Sequence, residues 1–408
     1  MNGIDFNDSL NKQQLTAVNC DEGNKLVLAG AGSGKTRVLT YRVAKLIKDF
    51  NIRPSDILAL TFTNKASREM KERIESLLRI SSQGLWFGTF HGICRRILKI
   101  HWKEAELSER FTILDSQDQL RLVKRIIKTN NLDEKLYDAK SIQSFINRKK
   151  DNGIRSNQTS EKDDEVYILV YKEYESILKQ TFSVDFADLI LKTYELLLNH
   201  ENILSYYVKR FKHIMVDEFQ DTNLLQFKLL KLLNNNTGSM YAVGDDDQSI
   251  YGWRGALSKN IKNFTDQFTN VEIFKLEQNY RSTDKILKVA NSLITHNKNR
   301  LGKELWTNTS RGEQVKIFEA YNNDEESSFI VDKIKMLVRD GYKKSEVAIL
   351  YRNNFLSRRL EEELNGRGIP YIIYGGFRFF ERAEIKDMIA YLRIVVNPDD
   401  DAAFERTI

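Results

Sequence analysis

Eight consecutive residues, Ala29-Gly30-Ala31-Gly32-Ser33-Gly34-Lys35-Thr36, constrain this chain more than any others. They follow a short apolar run, Leu26-Val27-Leu28, and precede an amphipathic run from Arg37 to Phe50. The order predicts a strand, a glycine-rich turn and a helix, which is the context a phosphate-binding loop needs. Glycines let successive backbone N–H groups converge on an anion without obstruction by Cβ, and the new helix adds its positive N-terminal end. Lys35 can set a point charge on terminal phosphates, and the Thr36 hydroxyl can hold Mg2+. The first position is Ala29 where the strict pattern has glycine, which matters only if that residue must adopt a positive φ. A flexible glycine loop without a ligand is the competing reading. Gly-Lys-Thr at this offset, between strand and helix, argues for a nucleotide instead.

A chain of 408 residues is long enough for two or three domains with sizeable cores. Its formal net charge of +6 is compatible with a polyanion partner and does not establish one. Two cysteines, Cys20 and Cys94, form no disulfide framework and no metal-ligand spacing, which suits a reducing, cytoplasmic setting. The opening residues lack an apolar signal segment, and no run approaches the ~18 apolar residues of a membrane span. The expectation is a cytoplasmic protein that neither enters nor crosses a membrane.

From residue 25 to about 102, apolar runs alternate with helical patterns: Ile57–Phe62 before a helix from Asn64 to Leu78, and Leu85–Phe87 before one from Phe90 to Trp102. Such alternation predicts βαβ units and a parallel sheet. From 103 to 200 the apolar residues recur at helical spacing, as at Leu120, Val123, Ile126 and Ile127, with no convincing strand. The cluster Arg148-Lys149-Lys150 there reads equally well as a solvated helix face. Strand logic resumes at His213–Val216, Met240–Val243 and Val271–Phe274. After a polar stretch near 299–312 a second alternating unit is expected, with strands at Val315–Phe318, Val347–Tyr351 and Tyr371–Tyr374. The domain reading is therefore 1–102 and 201–280 as two parts of one α/β domain, 103–200 as a helical insertion, and 281–408 as part of a second α/β domain.

A phosphate loop needs an acidic strand end to complete a metal site, and Val216-Asp217-Glu218 supplies one. Asp217 can bind Mg2+ directly or through water, while Glu218 can orient and deprotonate the attacking water. Gln248 follows another strand end and can sense a γ-phosphate through its amide. Tyr280-Arg281 follows the strand near 271–276, where an arginine can stabilise transition-state charge and a tyrosine can stack on a base. Without the other motifs, that pair would read as an ordinary surface arginine and a core tyrosine. Aromatics also stand at loop positions beside polar residues: Phe62 with Asn64, Thr89-Phe90-His91, and Tyr251-Gly252-Trp253-Arg254. Such clusters suit stacking of single-strand bases with phosphate contacts alongside, although core packing is the commoner use of any one of them.

These ordered motifs resemble the UvrD/Rep-type superfamily 1 helicases across essentially the whole chain. Leu10–Gln14 with Ala17-Val18 resembles that family's Q motif, Ala29–Thr36 motif I, Leu60–Met70 motif Ia and Gly88–His91 motif Ib. Val216–Asn223 resembles motif II, Val243–Ala256 motif III and Gln278–Ser282 motif IV. Ala348–Asn353 and Tyr374-Gly375-Gly376 to Arg393 resemble the opening of the family's second RecA-like domain. The resemblance implies a P-loop NTPase fold, a RecA-like parallel sheet with an all-helical insertion and a partial second RecA-like domain. It implies an ATP-dependent 3′–5′ translocase acting on single-stranded DNA and on single-strand/duplex junctions. Gln14 would read adenine, and Ala29, Gly30, Ala31, Gly32, Ser33, Gly34, Lys35, Thr36 and Arg37 would surround the nucleotide. Tyr280 would stack on the base, Thr36 and Asp217 would hold Mg2+, Glu218 would activate water, and Gln248 and Arg281 would contact the γ-phosphate. Phe62, Asn64, Thr89, His91, Tyr251, Trp253 and Arg254 would face the single strand.

The same resemblance implies later motifs, V and VI, beyond the run that ends at Ile408. Motif VI would supply a further arginine to the γ-phosphate. A truncated chain is therefore expected, with autonomous unwinding in question. The alternative is a module that binds ATP and single-stranded DNA without turning over by itself, and a phosphate-loop NTPase acting on other substrates is the remote third reading.

Overall fold

The computed structural model of the chain describes residues 6–79, 84–235, 238–250, 252, 260–297, 300, 302–310, 312–374, 383–398 and 400–407. Two compact units form, Met1–Glu313 and Gln314–Ile408. In the first, short helices α1 (Phe6–Ser9) and α2 (Lys12–Asn19) lead into β1 (Lys25–Ala29) and α3 (Lys35–Lys48). There follow β2 (Ile57–Thr61), α4 (Asn64–Leu78), β3 (Trp86–Thr89) and α5 (Phe90–Ile100). The chain then runs through β4 (Thr112–Ile113), α6 (Ser116–Thr129), α7 (Ala139–Asp151), α8 (Glu165–Gln180), β5 (Ser183–Val184), α9 (Phe186–Asn199) and α10 (Glu201–Arg210). It returns to the sheet with β6 (His213–Val216), α11 (Leu224–Asn234), β7 (Ser239–Gly244), α12 (Asn260–Gln267), β8 (Glu272–Leu276) and α13 (Asp284–Ile294).

Six strands form one sheet in the order β3-β2-β6-β7-β1-β8. Every pairing in it is parallel. The apolar runs read in the sequence are continuous because both faces are covered. Leu26, Leu28, Leu58, Leu60, Ile214 and Val216 belong to one buried cluster, which continues into α5, α9 and α11. Their neighbours Val27, Ala29, Ile57, Ala59 and Met215 belong to a second cluster, shared with α2, α3 and α4. Alternate residues of each strand thus feed opposite layers, as the pleat requires. Because all strands run the same way, the turns after β1, β2, β3, β6, β7 and β8 emerge along one edge.

The segment from 103 to 200 is helical as expected, with one departure. Thr112–Ile113 and Ser183–Val184 form a two-residue parallel pair. Two residues are too short to carry a period-2 signal, so no pattern announces the pair. Behind it lies a buried ionic network. Lys150 Nζ, fully buried, donates to Asp185 Oδ2 at 2.7 Å and to Asp188 Oδ2 at 2.6 Å. Arg155 reaches Asp188 Oδ1 at 2.8 Å and Glu195 Oε2 at 2.6 Å, and the Tyr174 hydroxyl donates to Asp185 at 2.8 Å. The Arg148-Lys149-Lys150 cluster is therefore only partly a solvated face. Asp185 is also the N-cap of α9, so the network sets where that helix begins.

The second unit contains α14 (Asn323–Arg339), α15 (Ser357–Gly366), α16 (Ala383–Val396) and α17 (Asp401–Thr407). None of the strands expected at 315–318, 347–351 and 371–374 forms a ladder among the described residues. The alternation itself is nonetheless expressed. Val347, Ile349, Ile369 and Tyr371 pack against the helices around Val331, Ile334 and Leu364, while Leu350 and Ile372 are exposed. Period-2 patterning sets which way a segment faces, but a ladder needs a partner strand in register.

The joint between the helical segment and the sheet carries a pH-dependent strain. Asp151, at the end of α7, accepts a hydrogen bond from Asn223 Nδ2 at 2.9 Å, beside the start of α11. Burial, reinforced by the Asp185 carboxylate, pushes its carboxyl up to about 6. A carboxyl raised in the folded state favours folding fully below its unfolded pKa, and that contribution is lost as pH rises through about 6. Asp151→Asn should therefore stabilise the protein at pH 8 by about 1–3 kcal/mol, with the gain vanishing near pH 4. Thermal or urea unfolding of both proteins at the two pH values measures it.

Candidate nucleotide site and its aromatic flank

The phosphate-loop residues lie between β1 and α3, as the sequence predicts. Ala29 is a buried strand residue without positive φ, so alanine costs nothing there. Gly32 and Gly34 do take positive φ, at 68° and 92°. Both are also tightly overlaid. A Cβ at Gly32 would meet the side chain of Asn279 at 2.7 Å, and one at Gly34 would meet Gln14 Nε2 at 2.7 Å.

These overlying groups hold the loop by its carbonyls. Gln14 Nε2 donates to Ser33 O at 2.8 Å, Asn279 Nδ2 to Ala31 O at 2.5 Å, and the Tyr280 amide to Gly32 O at 2.9 Å. The Ser33 hydroxyl donates to Gly30 O at 2.8 Å. The Gly30 and Ser33 N–H groups are spent on Leu276 O and Gly30 O, both at 3.2 Å, so the hollow is left the N–H groups of Ala31, Gly32 and Gly34 together with those of the first turn of α3. Sequence reasoning named Gln14 as an adenine reader. Here its buried amide is spent at both ends, on Ser33 and on the Asn11 N–H at 3.1 Å. Arg37 points away from the loop, donating to Ser9 O at 2.5 Å and lying over the Tyr41 ring.

Across the loop stand the acidic residues after β6. Lys35 Nζ lies 3.3 Å from Glu218 Oε2. Asp217 is buried, and burial together with the Glu218 charge pushes its carboxyl up to about 7. Lys35 and the Glu218 N–H, which donates to Asp217 Oδ1 at 3.0 Å, oppose that rise without cancelling it. Asp221 is raised to about 6 by burial and Glu218, and its Oδ1 is buried without a hydrogen-bond partner among the described residues. This acidic set is under-neutralised by its own protein, which is the donor chemistry that suits a hard divalent cation beside the Thr36 hydroxyl. Glu218 itself has φ 49°, a left-handed conformation costing roughly 1 kcal/mol for a non-glycine residue. Asp221 lies within the Val216–Asn223 motif, three residues past Glu218, but only folding shows that its carboxyl is buried.

The turn after β7 completes this half of the edge. Gln248 donates to Asp245, whose own N–H donates to Gln220 Oε1 at 2.9 Å. Gln220 Nε2 in turn donates to Glu218 Oε2 at 2.8 Å. Gln248 and Glu218 are thereby joined by a continuous hydrogen-bonded chain. After β8, Tyr280 is 56% exposed, so its ring is free to stack, while its hydroxyl accepts from Asn11 Nδ2 at 2.6 Å. Arg281 is exposed, with its Cβ close above Gly32.

Of the residues expected to face a single strand, Tyr251, Trp253 and Arg254 lie outside the described residues. Asn64 is exposed at the start of α4. Phe62 is half-buried, with its ring edge-on to Phe90 at 5.7 Å between centroids. Thr89 caps α5, its hydroxyl accepting from the Gly92 N–H. The His91 ring meets Phe186, 51% exposed at the first turn of α9, edge-on at 5.9 Å. Burial lowers the His91 pKa, so a neutral ring is favoured. Phe186 carries no signal of its own in the sequence, since its exposure depends on how the helical segment docks.

Family comparison agrees with this arrangement. The UvrD/REP helicase N-terminal domain matches residues 10–269, and the UvrD-like helicase C-terminal domain matches residues 274–408. DNA helicase II of Escherichia coli (strain K12) is 50% identical over 404 residues, covering 98% of this chain and 56% of the relative. The ATP-dependent DNA helicase PcrA of Leuconostoc citreum is 43% identical over 407 residues, covering 98% of this chain and 54% of that protein. The chain thus spans about half the length of these curated relatives. With a carbonyl-clamped phosphate loop, an acidic strand end facing Lys35 and both domain matches in order, this chain belongs to the UvrD/REP helicase family.

Proposed function

We propose that this chain carries the ATP-hydrolysing and strand-gripping part of an ATP-dependent DNA helicase that moves 3′ to 5′ on single-stranded DNA and opens single-strand/duplex junctions. The observation that carries the reading is the approach of Lys35 to Glu218, 3.3 Å apart, beside the buried Asp217. In this reading ATP places its phosphates on the N–H groups of Ala31, Gly32 and Gly34 and on those of the first turn of α3, with Lys35 on the terminal phosphates. Thr36 and Asp217 would hold Mg2+, which would supply positive charge against the phosphoryl oxygens. Glu218, released from Lys35 by the incoming phosphates, accepts a proton from the attacking water. Gln248 and Arg281 meet the γ-phosphate, and the exposed Tyr280 ring stacks on adenine.

The aromatic flank shares the same sheet edge, through β2, β3 and the docked end of α9. Phe62, His91 and Phe186 offer faces and edges for base stacking, and Asn64 offers polar contact to the backbone. A cytoplasmic setting, where thiols stay reduced, suits the buried free cysteines Cys20 and Cys94.

ATP hydrolysis measured with and without single-stranded DNA tests this reading. Strand-stimulated hydrolysis is expected, falling about 10²-fold or more in Lys35→Ala, and in Glu218→Gln with nucleotide binding retained. Tight binding of ATP and single strand with negligible hydrolysis would favour the binding-module alternative. Phe186→Ala should weaken single-strand affinity by about 1–3 kcal/mol while leaving the slope of log affinity against log salt unchanged, because it removes a stack and no phosphate contact. A titration of labelled oligonucleotide across salt concentrations decides it.

A further inference from the structure

At the end of β7, three consecutive carboxylates, Asp245, Asp246 and Asp247, converge within 4.8 Å of one another. Such a cluster would repel itself and the triphosphate alike. A single ammonium resolves it. Lys303 Nζ, on a side chain 4% exposed, lies 2.6 Å from Asp245 Oδ1 and 2.9 Å from Asp247 Oδ2, and pairs with Asp246 as well. Arg300 holds Asp247 with two hydrogen bonds, 2.9 Å from Nε and 2.8 Å from a terminal nitrogen, and also donates to the Lys303 carbonyl at 2.9 Å.

The segment carrying Lys303 is itself fastened to the nucleotide site. The Leu305 side chain lies on Gly30, where any Cβ would be 2.2 Å from its Cδ2. Trp306 exchanges backbone hydrogen bonds with the stretch before Tyr280: its carbonyl accepts from the Asn279 N–H at 2.7 Å and its N–H donates to Glu277 O at 3.1 Å. Lys275 Nζ, on β8, donates to Gly302 O at 2.8 Å. One short strap therefore touches the phosphate loop, the Gln278–Arg281 segment and the Gln248 turn.

We infer that Lys303 is a positioning residue for Gln248, its ammonium locking the Asp245–Asp247 turn so that the amide of Gln248 is held in register with the phosphate loop. Asp245 is the hinge of this device, since it accepts from Gln248 Nε2, pairs with Lys303 and is hydrogen-bonded through its N–H to Gln220. The inference rests on Gln248 meeting the γ-phosphate. It assigns Lys303 a task that its distance of 55 residues from Gln248 hides from any motif. The place that three carboxylates would offer a divalent cation is taken by this ammonium.

Hydrogen exchange tests the lock directly. In the wild type the N–H groups of Asp245, Asp247 and Gln248 are bonded, to Gln220 Oε1, Asp245 Oδ1 and Asp245 O. In Lys303→Met, exchange over residues 244–250 should quicken at least tenfold, with β1 unchanged, and the protection that Mg2+ and ATPγS add to this turn should be lost. Lys303→Arg should restore part of it, and Arg300→Gln, expected to show a smaller acceleration, serves if Lys303→Met does not fold. In the stimulated ATPase, Lys303→Met should lower kcat at least tenfold with nucleotide Kd within threefold, and the double variant with Gln248→Ala should be no worse than the worse single variant. Unchanged exchange at 244–250, or losses that add fully in the double variant, overturns the inference. A wild-type chain without hydrolysis overturns the helicase reading instead, and the exchange measurement still decides the lock.

Discussion

The candidate site depends on how the carbonyls of the phosphate loop are held. A loop of glycine and alanine has no side chains to fix its direction, and with φ of 68° and 92° at Gly32 and Gly34 its conformation is one that few other residues adopt. Left alone it would pay a large entropic cost to present its N–H groups inward. Donors from two distant segments, Gln14 from α2 and Asn279 with the Tyr280 amide from beyond β8, take its carbonyls. Part of the anion affinity is therefore built before the anion arrives: with the Ala31 and Ser33 carbonyls tied outward, the Gly32 and Gly34 N–H groups of the same peptides aim the other way, while the Ser33 N–H is turned back onto Gly30 O. The same contacts explain why the glycines stay glycine: at Gly32 and Gly34 the clamping side chains occupy the space a Cβ would need.

Charge in the site follows from this geometry. Lys35 is the nearest cation to Glu218, and Asp217, Glu218 and Asp221 crowd its surroundings. One ammonium among three carboxylates leaves a surplus of negative charge, which adds to burial in raising the pKa values of Asp217 and Asp221. A divalent cation would remove that surplus. A triphosphate arriving without one would increase it, so nucleotide and metal are favoured as a pair. Glu218 is held in a strained backbone conformation beside Lys35, and phosphates competing for that ammonium would free its carboxylate for proton transfer.

What could be read in the sequence was whatever is local. The phosphate loop and the Asp217–Glu218 strand end each lie within a dozen residues, the parallel alternation is a succession of such local patterns, and each appears where the pattern puts it. The clamp on the loop was half legible. Gln14 and Tyr280 were singled out, but Gln14 is engaged in holding Ser33, and Asn279, which does as much, stood unremarked beside Tyr280. Lys303 and Phe186 leave no mark, and Asp221 stands in the motif without a role of its own, because what they do depends on burial and on chain segments brought together only by folding. The strands expected in the second unit show the opposite limit. Their alternation was real and governs which residues face the helices, yet alternation says nothing about whether a neighbouring strand is present to complete the ladder.

The order of the strands places the candidate nucleotide site and the aromatic flank on neighbouring parts of one sheet. The turns of the candidate nucleotide site follow β6, β7, β1 and β8, whereas the aromatic flank follows β2 and β3. β6 is the seam, hydrogen-bonded to β2 on one side and β7 on the other. At its end, the Asp217 N–H donates to Leu60 O of β2, while Gln220 links Glu218 to Asp245 beyond β7. Phe62 lies two residues past Leu60. Glu218 is thus joined through two hydrogen bonds to the Gln248 turn, and its neighbour Asp217 through one backbone hydrogen bond to the strand that precedes Phe62. A motor of the proposed kind would need its chemical step and its grip to be mechanically adjacent, and β6 at the seam of the six-stranded parallel sheet would join the two.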